Sequence, residues 1–193
     1  RSEYVLGRIR AGVLEHGFAA LMREAQCGER MDREGEIHEG FFIADHGALK
    51  RVDLHKYSGG SSVVVYGQTE LTRDLYAARD RMQGAVIHNA EDVQPHDLKS
   101  GQPYVTYRKG DDIVRIACDY VVGADGFHGV SRKSIPKTVL KEYEKVYPFG
   151  WLGVLSRTKP VSPELVYARH ERGFALCSLR SQVLSRYYVQ VPL

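Results

Sequence analysis

One twelve-residue stretch, Val121–Arg132 (VVGADGFHGVSR), constrains the fold of this chain more than any other. A β-branched run, read as a buried strand, stops at Asp125, an acid set between Ala124 and Gly126. Gly126 and Gly129 open a turn, and Ser131 with Arg132 reads as the start of a helix. Glycines let backbone approach a ligand closely, and a helix N-terminus favours anions. On physics alone the stretch is either a nucleotide-handling loop or an ordinary strand-to-helix turn. Both alternatives belong to α/β architecture.

Composition removes several classes. A net charge of +3 with interspersed signs is too small and too scattered for a nucleic-acid binder. The odd set Cys27, Cys118 and Cys177 is widely spaced, which argues against a disulfide framework or a zinc knuckle and for a reducing, cytoplasmic setting. The eight histidines show no metal-ligand spacing, so no metal site is expected. No apolar stretch approaches the roughly 18 residues that span a bilayer, so no membrane partner is expected. The opening Arg1-Ser2-Glu3 and the β-prone ending at Leu193 read as the ends of an internal piece of a longer chain.

Periodicity sketches the order of elements. Val13, Leu14, Phe18, Leu21, Met22 and Ala25 recur at helical spacing. Residues 39–54 read as two strands around an Asp-His-Gly turn, and 56–62 as a Gly/Ser loop. SVVVYG reads as a buried strand and 68–82 as a helix. AVIHNA, PYVTYRK and DIVRIAC read as short strands, the last two joined by a Lys-Gly-Asp-Asp turn. From about Val139 the pattern is strands across short turns. The expected organisation is a mixed α/β chain with residues 1–138 in one domain and 139–193 in a β-sheet domain.

Three constellations carry chemistry. Arg8-Ile9-Arg10-Ala11-Gly12 places two guanidiniums before a helix, suited to phosphate oxygens or merely solvated. Gln68 follows a buried strand at a helix start, where α/β folds place ligands, although simple capping explains it equally. On a strand, Ser178 and Arg180 would share a face about 7 Å apart, with Phe174 and Leu176 continuing it. A carboxylated aromatic ring would match that stripe, with Tyr188 as a further donor and Tyr167 at the ring's far end; a surface-exposed arginine is the plain alternative.

Taken together, YVLGRIRAGVLEHG, VYGQTELTRDL, GADGFHGVSRKSIP, VYPFGWLGVL, YARHERGFALCSLRS and SRYYVQVPL resemble the flavin-dependent aromatic hydroxylases, essentially from end to end. The resemblance implies part of a Rossmann-like FAD-binding domain lacking its first βαβ unit, joined to a β-sheet substrate domain. No Gly-x-Gly-x-x-Gly follows an N-terminal strand here, so the adenosine half-site expected of the family is not in this piece. By position, Arg8, Ile9, Arg10, Ala11, Gly12, Val13, Gln68 and Asp125 would contact FAD, and Tyr4, His128 and Arg132 would contact NADPH, with Arg8 and Arg10 also candidates. Tyr167, Ser178, Leu179, Arg180 and Tyr188 would hold the substrate, Tyr167 as the catalytic phenol. The implied reaction is hydroxylation of 4-hydroxybenzoate to 3,4-dihydroxybenzoate with O2 and NADPH, in a parent that is a cytoplasmic homodimer. A related phenolic acid, or a non-catalytic truncated binding module, are the alternatives.

Overall fold

The computed structural model describes residues 11–193, which form two compact units, one of residues 11–84 with 146–193 and the other of residues 85–145. Arg8, Ile9, Arg10 and Tyr4 lie outside the described residues.

In the first unit the chain opens with β1 (Val13–Leu14), α1 (His16–Glu24) and α2 (Glu29–Glu34). Then come β2 (Glu36–His38), the hairpin β3 (Gly40–Asp45) and β4 (Ala48–Asp53), α3 (Leu54–Tyr57), β5 (Val63–Val65) and α4 (Gln68–Arg81). Val13 and Leu14 do not begin the first helix as their spacing predicts. They pair with Val65 and Val64 instead, so cross-strand pairing overrides helical periodicity there. The expected Gly/Ser loop begins with the short helix α3, because Asp53 Oδ1 accepts a hydrogen bond from the Lys56 N–H at 2.9 Å and caps it. Leu14, Met22, Met31, Val64, Tyr66 and Leu71 form the buried core around β5. Tyr66 donates its hydroxyl to Asp74 Oδ2 at 2.7 Å, and Arg30 donates to Asp74 and Glu70, which ties the end of β5 to α4.

The same unit carries β9 (Phe149–Ser156), β10 (Leu165–His170), β11 (Gly173–Ser181) and β12 (Leu184–Pro192). With β3 and β4 they make a six-stranded sheet in the order β4-β3-β10-β11-β12-β9. Its hairpin β3–β4 comes from well before residue 139, so the sheet is assembled from both parts of the chain. β10 pairs parallel to β3, with Tyr167 opposite Ile43, and antiparallel to β11, with Tyr167 opposite Leu176. A second sheet, β1-β5-β2, lies in this unit too.

The other unit holds the meander β6 (Glu91–His96), β7 (Tyr104–Lys109) and β8 (Asp112–Ala117). The strand expected over 85–90 falls instead on 91–96, where Pro95 and a bulge between Glu91 and Gln94 hide the alternation. The strand and helix expected around Asp125 are corrected. Residues 121–122 form no strand, Val122 is 86% exposed, and only a 3-10 turn, Arg132–Ser134, follows. β propensity makes a strand only where a neighbour completes the ladder, and the meander ends at Ala117.

Candidate functional site

Residues 11–13 sit where several of the candidate side chains meet. The Gln68 N–H donates to the Ala11 carbonyl at 3.0 Å and the Tyr66 N–H to the Gly12 carbonyl at 2.9 Å, which pins this segment to the junction of β5 and α4. A cavity of about 400 Å³ opens beside it, lined by Ala11, Gly12, Val13, Phe18, Gln68 and Leu71. Its walls are mostly apolar, and Gln68 presents an amide at the first turn of the 14-residue α4, whose N-terminus favours a negatively charged group.

Val13 also lines a second, smaller cavity of about 230 Å³ with His38, Gly40, Phe41, Leu165 and Tyr167. The Phe41 and Tyr167 rings meet edge to face at 5.2 Å, and Phe174 lies tilted to Tyr167 at 6.1 Å. Trp151 continues the row, 5.8 Å from Phe174. Opposed residues of a ladder project to the same face, and the face alternates along each strand. Ile43, Tyr167, Leu176 and Tyr188 therefore share a face, joined at the next rung by Ser178 opposite Arg186.

Arg180 departs from simple strand spacing. The β11–β12 register shifts between Leu179 and Ser181, so Arg180 stands at a bulge next to the hairpin end rather than at a plain i+2 position from Ser178. Its guanidinium lies where a side chain on Gly12 would project. Burial disfavours its charge and pushes its pKa down. Leu179 is buried on the opposite side of the strand from Ser178. The Ser178 hydroxyl donates to the Leu179 carbonyl at 3.2 Å.

Two residues of this region went unnoticed in the sequence. Arg186 is only 3% exposed and stacks over the Tyr188 ring at 4.4 Å. Burial, followed by the like charge of Arg180, pushes its pKa down to about 10. The two guanidiniums thus lie close enough for their like charges to bear on one another. The serine and arginine spaced symmetrically about the turn in SLRSQVLSR were the signal available. His38 is 2% exposed, and its Nε2 is buried without a hydrogen-bond partner among the described residues. Desolvation lowers its pKa, against the opposing influence of Glu164 and Glu36. Flanked by glutamates, it reads in sequence as an exposed polar residue.

In the other unit Asp125 serves its own loop. Its carboxylate accepts the Ser131 N–H at 2.9 Å, and these backbone bonds hold its pKa below the ordinary carboxylate range. A side chain on Gly129 would have to displace that carboxylate. A cavity of about 510 Å³ includes Asp125, Gly126 and Arg132. Another, of about 470 Å³, includes His128, Arg132 and Lys133. Arg132 stacks on Phe127 and approaches Glu142 at 3.6 Å. Asp125, His128 and Arg132 are thus gathered within one unit, and Ala11, Gly12, Val13, Gln68, Tyr167, Ser178, Arg180 and Tyr188 within the other. Among the described residues no cluster of His, Cys, Asp and Glu is placed to hold a metal ion. No described helix is long and apolar enough to cross a membrane.

The residues lining the first cavity fit a flavin: an apolar wall, a glycine-containing segment that permits close approach, and an amide at a helix start. The chain is 46% identical over 192 residues to a p-hydroxybenzoate hydroxylase of Acinetobacter baylyi, covering 100% of this chain and 47% of that relative. The chain therefore spans about half the length of the curated relative it matches. Among solved structures, a variant of PqsL from Pseudomonas aeruginosa matches 100% of this chain and 52% of its own at a TM-score of 0.79 and 18% identity. A p-nitrophenol 4-monooxygenase from Pseudomonas putida matches 96% of this chain and 49% of its own at 0.78 and 11%. At those identities the likeness shows the fold. A sequence model of the FAD binding domain family matches residues 1–193, the whole of the chain, and the chain belongs to that family.

Proposed function

We propose that this chain forms part of an FAD-dependent, NADPH-consuming monooxygenase that hydroxylates 4-hydroxybenzoate to 3,4-dihydroxybenzoate. The observation that carries this reading is the position of residues 11–13 beside both sites. They wall the cavity that suits a flavin together with Gln68, Val13 also walls the cavity of Tyr167, and Gly12 packs on Arg180. When bound, FAD supplies the oxygen chemistry, reduced at the expense of NADPH.

The protein's own side chains bind, orient and move a proton. Arg180, with Arg186 and Ser178 nearby, takes the carboxylate through charge-assisted hydrogen bonds. The apolar face of Phe174, Leu176 and Trp151 receives the ring. Tyr167 holds the phenol oxygen and stabilises phenolate character, which makes the ring electron-rich at the carbon to be hydroxylated. His38, kept neutral by burial in the same cavity, is a base able to receive that proton. Orientation of the ring between two fixed ends is itself a large part of the rate. His128 and Arg132, with Tyr4, Arg8 and Arg10, are assigned to NADPH, and Asp125 to the flavin side through the loop it shapes. The same reading carries a cytoplasmic, homodimeric parent, in keeping with the free thiols of Cys27, Cys118 and Cys177.

Trp151 is the chain's single tryptophan, and it stands on the aromatic row. Its emission should respond to 4-hydroxybenzoate, weakly to 4-hydroxybenzamide, which lacks the carboxylate, and to benzoate with reduced affinity. Equal responses to all three would contradict the reading.

A further inference from the structure

We propose that Glu164 is a positioning residue for the Tyr167 cavity, its carboxylate clamping three strands around His38 at the cavity's edge. Glu164 immediately precedes β10, and its neighbour Leu165 lines the cavity. The carboxylate uses both oxygens on Arg51: Oε2 accepts from Nε at 2.7 Å and Oε1 from Nη2 at 2.8 Å. The Gly40 backbone also helps to hold the Glu164 carboxyl below the ordinary range, after Arg51. Despite its charge, the side chain is only 14% exposed.

This clamp stands at a weak point of the sheet. β10 and β3 form the one parallel junction among the described strands of the six-stranded sheet, and parallel pairing is slightly less stable per residue. The register of that junction sets Leu165 opposite Phe41 and Tyr167 opposite Ile43. Glu164 reaches across the start of the junction to Arg51 on β4, whose side chain packs against Gly40 on β3. Arg51 in turn packs on Gly40 so closely that a Cβ there would stand 2.7 Å from Nη2. Gly40 lines the cavity, two residues beyond the buried His38. Movement of the carboxylate is therefore passed to both walls that hold Tyr167 and His38.

The clamp also carries charge. The charged groups that act on His38 are Glu164, just before β10, and Glu36 on its own strand, and Tyr167 lines the same cavity. Glu164 and Glu36 favour the protonated imidazole, against the burial that disfavours it. Neutralising Glu164 without changing its shape would tip that balance further toward the neutral ring.

This role rests on reading the cavity as the phenol pocket, and one set of NMR titrations separates the two. The His38 imidazole is titrated in the free protein for wild type, Glu164→Gln and Glu164→Asp, then with 4-hydroxybenzoate present. Glu164→Gln should lower the His38 midpoint by roughly half a pH unit or more. Glu164→Asp keeps the charge but shortens the reach, so it should restore most of the midpoint while still binding 4-hydroxybenzoate several-fold more weakly than wild type. An unmoved midpoint in folded Glu164→Gln, or wild-type binding by Glu164→Asp, overturns the proposal. A wild-type His38 signal indifferent to 4-hydroxybenzoate overturns the phenol-pocket reading instead, and with it the role built on that reading.

Discussion

The Arg180 guanidinium fills the space that a side chain on Gly12 would need, so the segment beside Gln68 and the cation of the β11 bulge are in direct contact. Gly12→Ala forces the segment or the guanidinium to move. Displacing the guanidinium in this way should weaken 4-hydroxybenzoate binding. Gly17 is the control: it lies within α1 with nothing near its missing side chain, and Gly17→Ala should stabilise by up to about 1 kcal/mol. Ligand titration and thermal melting of the two variants check both statements.

Arg180→Ala should weaken binding of the carboxylated ring by roughly 2–5 kcal/mol, because the desolvated carboxylate loses its charged partner. Arg180→Lys should recover little, since a point charge does not reproduce the planar fork. Isothermal titration with 4-hydroxybenzoate measures the loss, and an unchanged Kd would remove Arg180 from the site.

Tyr167→Phe, made in the full-length protein, should leave substrate affinity nearly intact while product formation falls and NADPH oxidation is diverted to hydrogen peroxide. The ratio of 3,4-dihydroxybenzoate formed to NADPH consumed checks this. A ratio equal to wild type would deny Tyr167 its catalytic part.

Parts of this arrangement are legible before any coordinates. The β3–β4 hairpin announces itself through two apolar runs around Asp-His-Gly, and α4 through Leu71, Leu75 and Ala78 at helical spacing. The four strands from Phe149 to Pro192 stand out as β-prone runs joined by short turns. Other parts depend on partners distant in sequence. Val121 and Val122 have strand propensity but no ladder, whereas Val13 and Leu14 exchange helix for strand because β5 is beside them. The bulge at Arg180 is set by the register of β12, which no local pattern in FALCSLRS reveals. His38 and Glu164 are polar residues in polar text, and only the packing of β2, β3 and β10 makes one buried and the other a clamp.

His38 gives stability a pH dependence of known sign. Its folded-state pKa is lowered by burial, while the unfolded chain takes up a proton near the ordinary value of about 6.5. Unfolding therefore binds a proton below that value. The stability this group contributes is fully present above it and declines as pH falls toward the depressed folded pKa. Urea unfolding at pH ~7.5 and pH ~5.5 should show a smaller acid-side loss in His38→Asn than in wild type. Identical losses would contradict the assignment.

Asp125→Ala should release the Ser131 amide, which then exchanges with solvent faster than in wild type. Because that carboxyl is held below its usual range, its ordering effect is present above the ordinary Asp pKa and fades as pH falls through the lowered one. Amide exchange at Ser131 across acid pH follows this directly, and pH-independent protection would contradict it.

The most direct test of the central claim is an FAD titration of the full-length protein by flavin fluorescence, run with and without 4-hydroxybenzoate and repeated for Gly12→Ala. The account predicts that FAD binds, that 4-hydroxybenzoate alters the bound flavin's signal, and that Gly12→Ala uncouples the two. FAD binding that is blind to 4-hydroxybenzoate in wild type would contradict the claim that the 11–13 segment links the flavin cavity, through Val13, to the Tyr167 cavity.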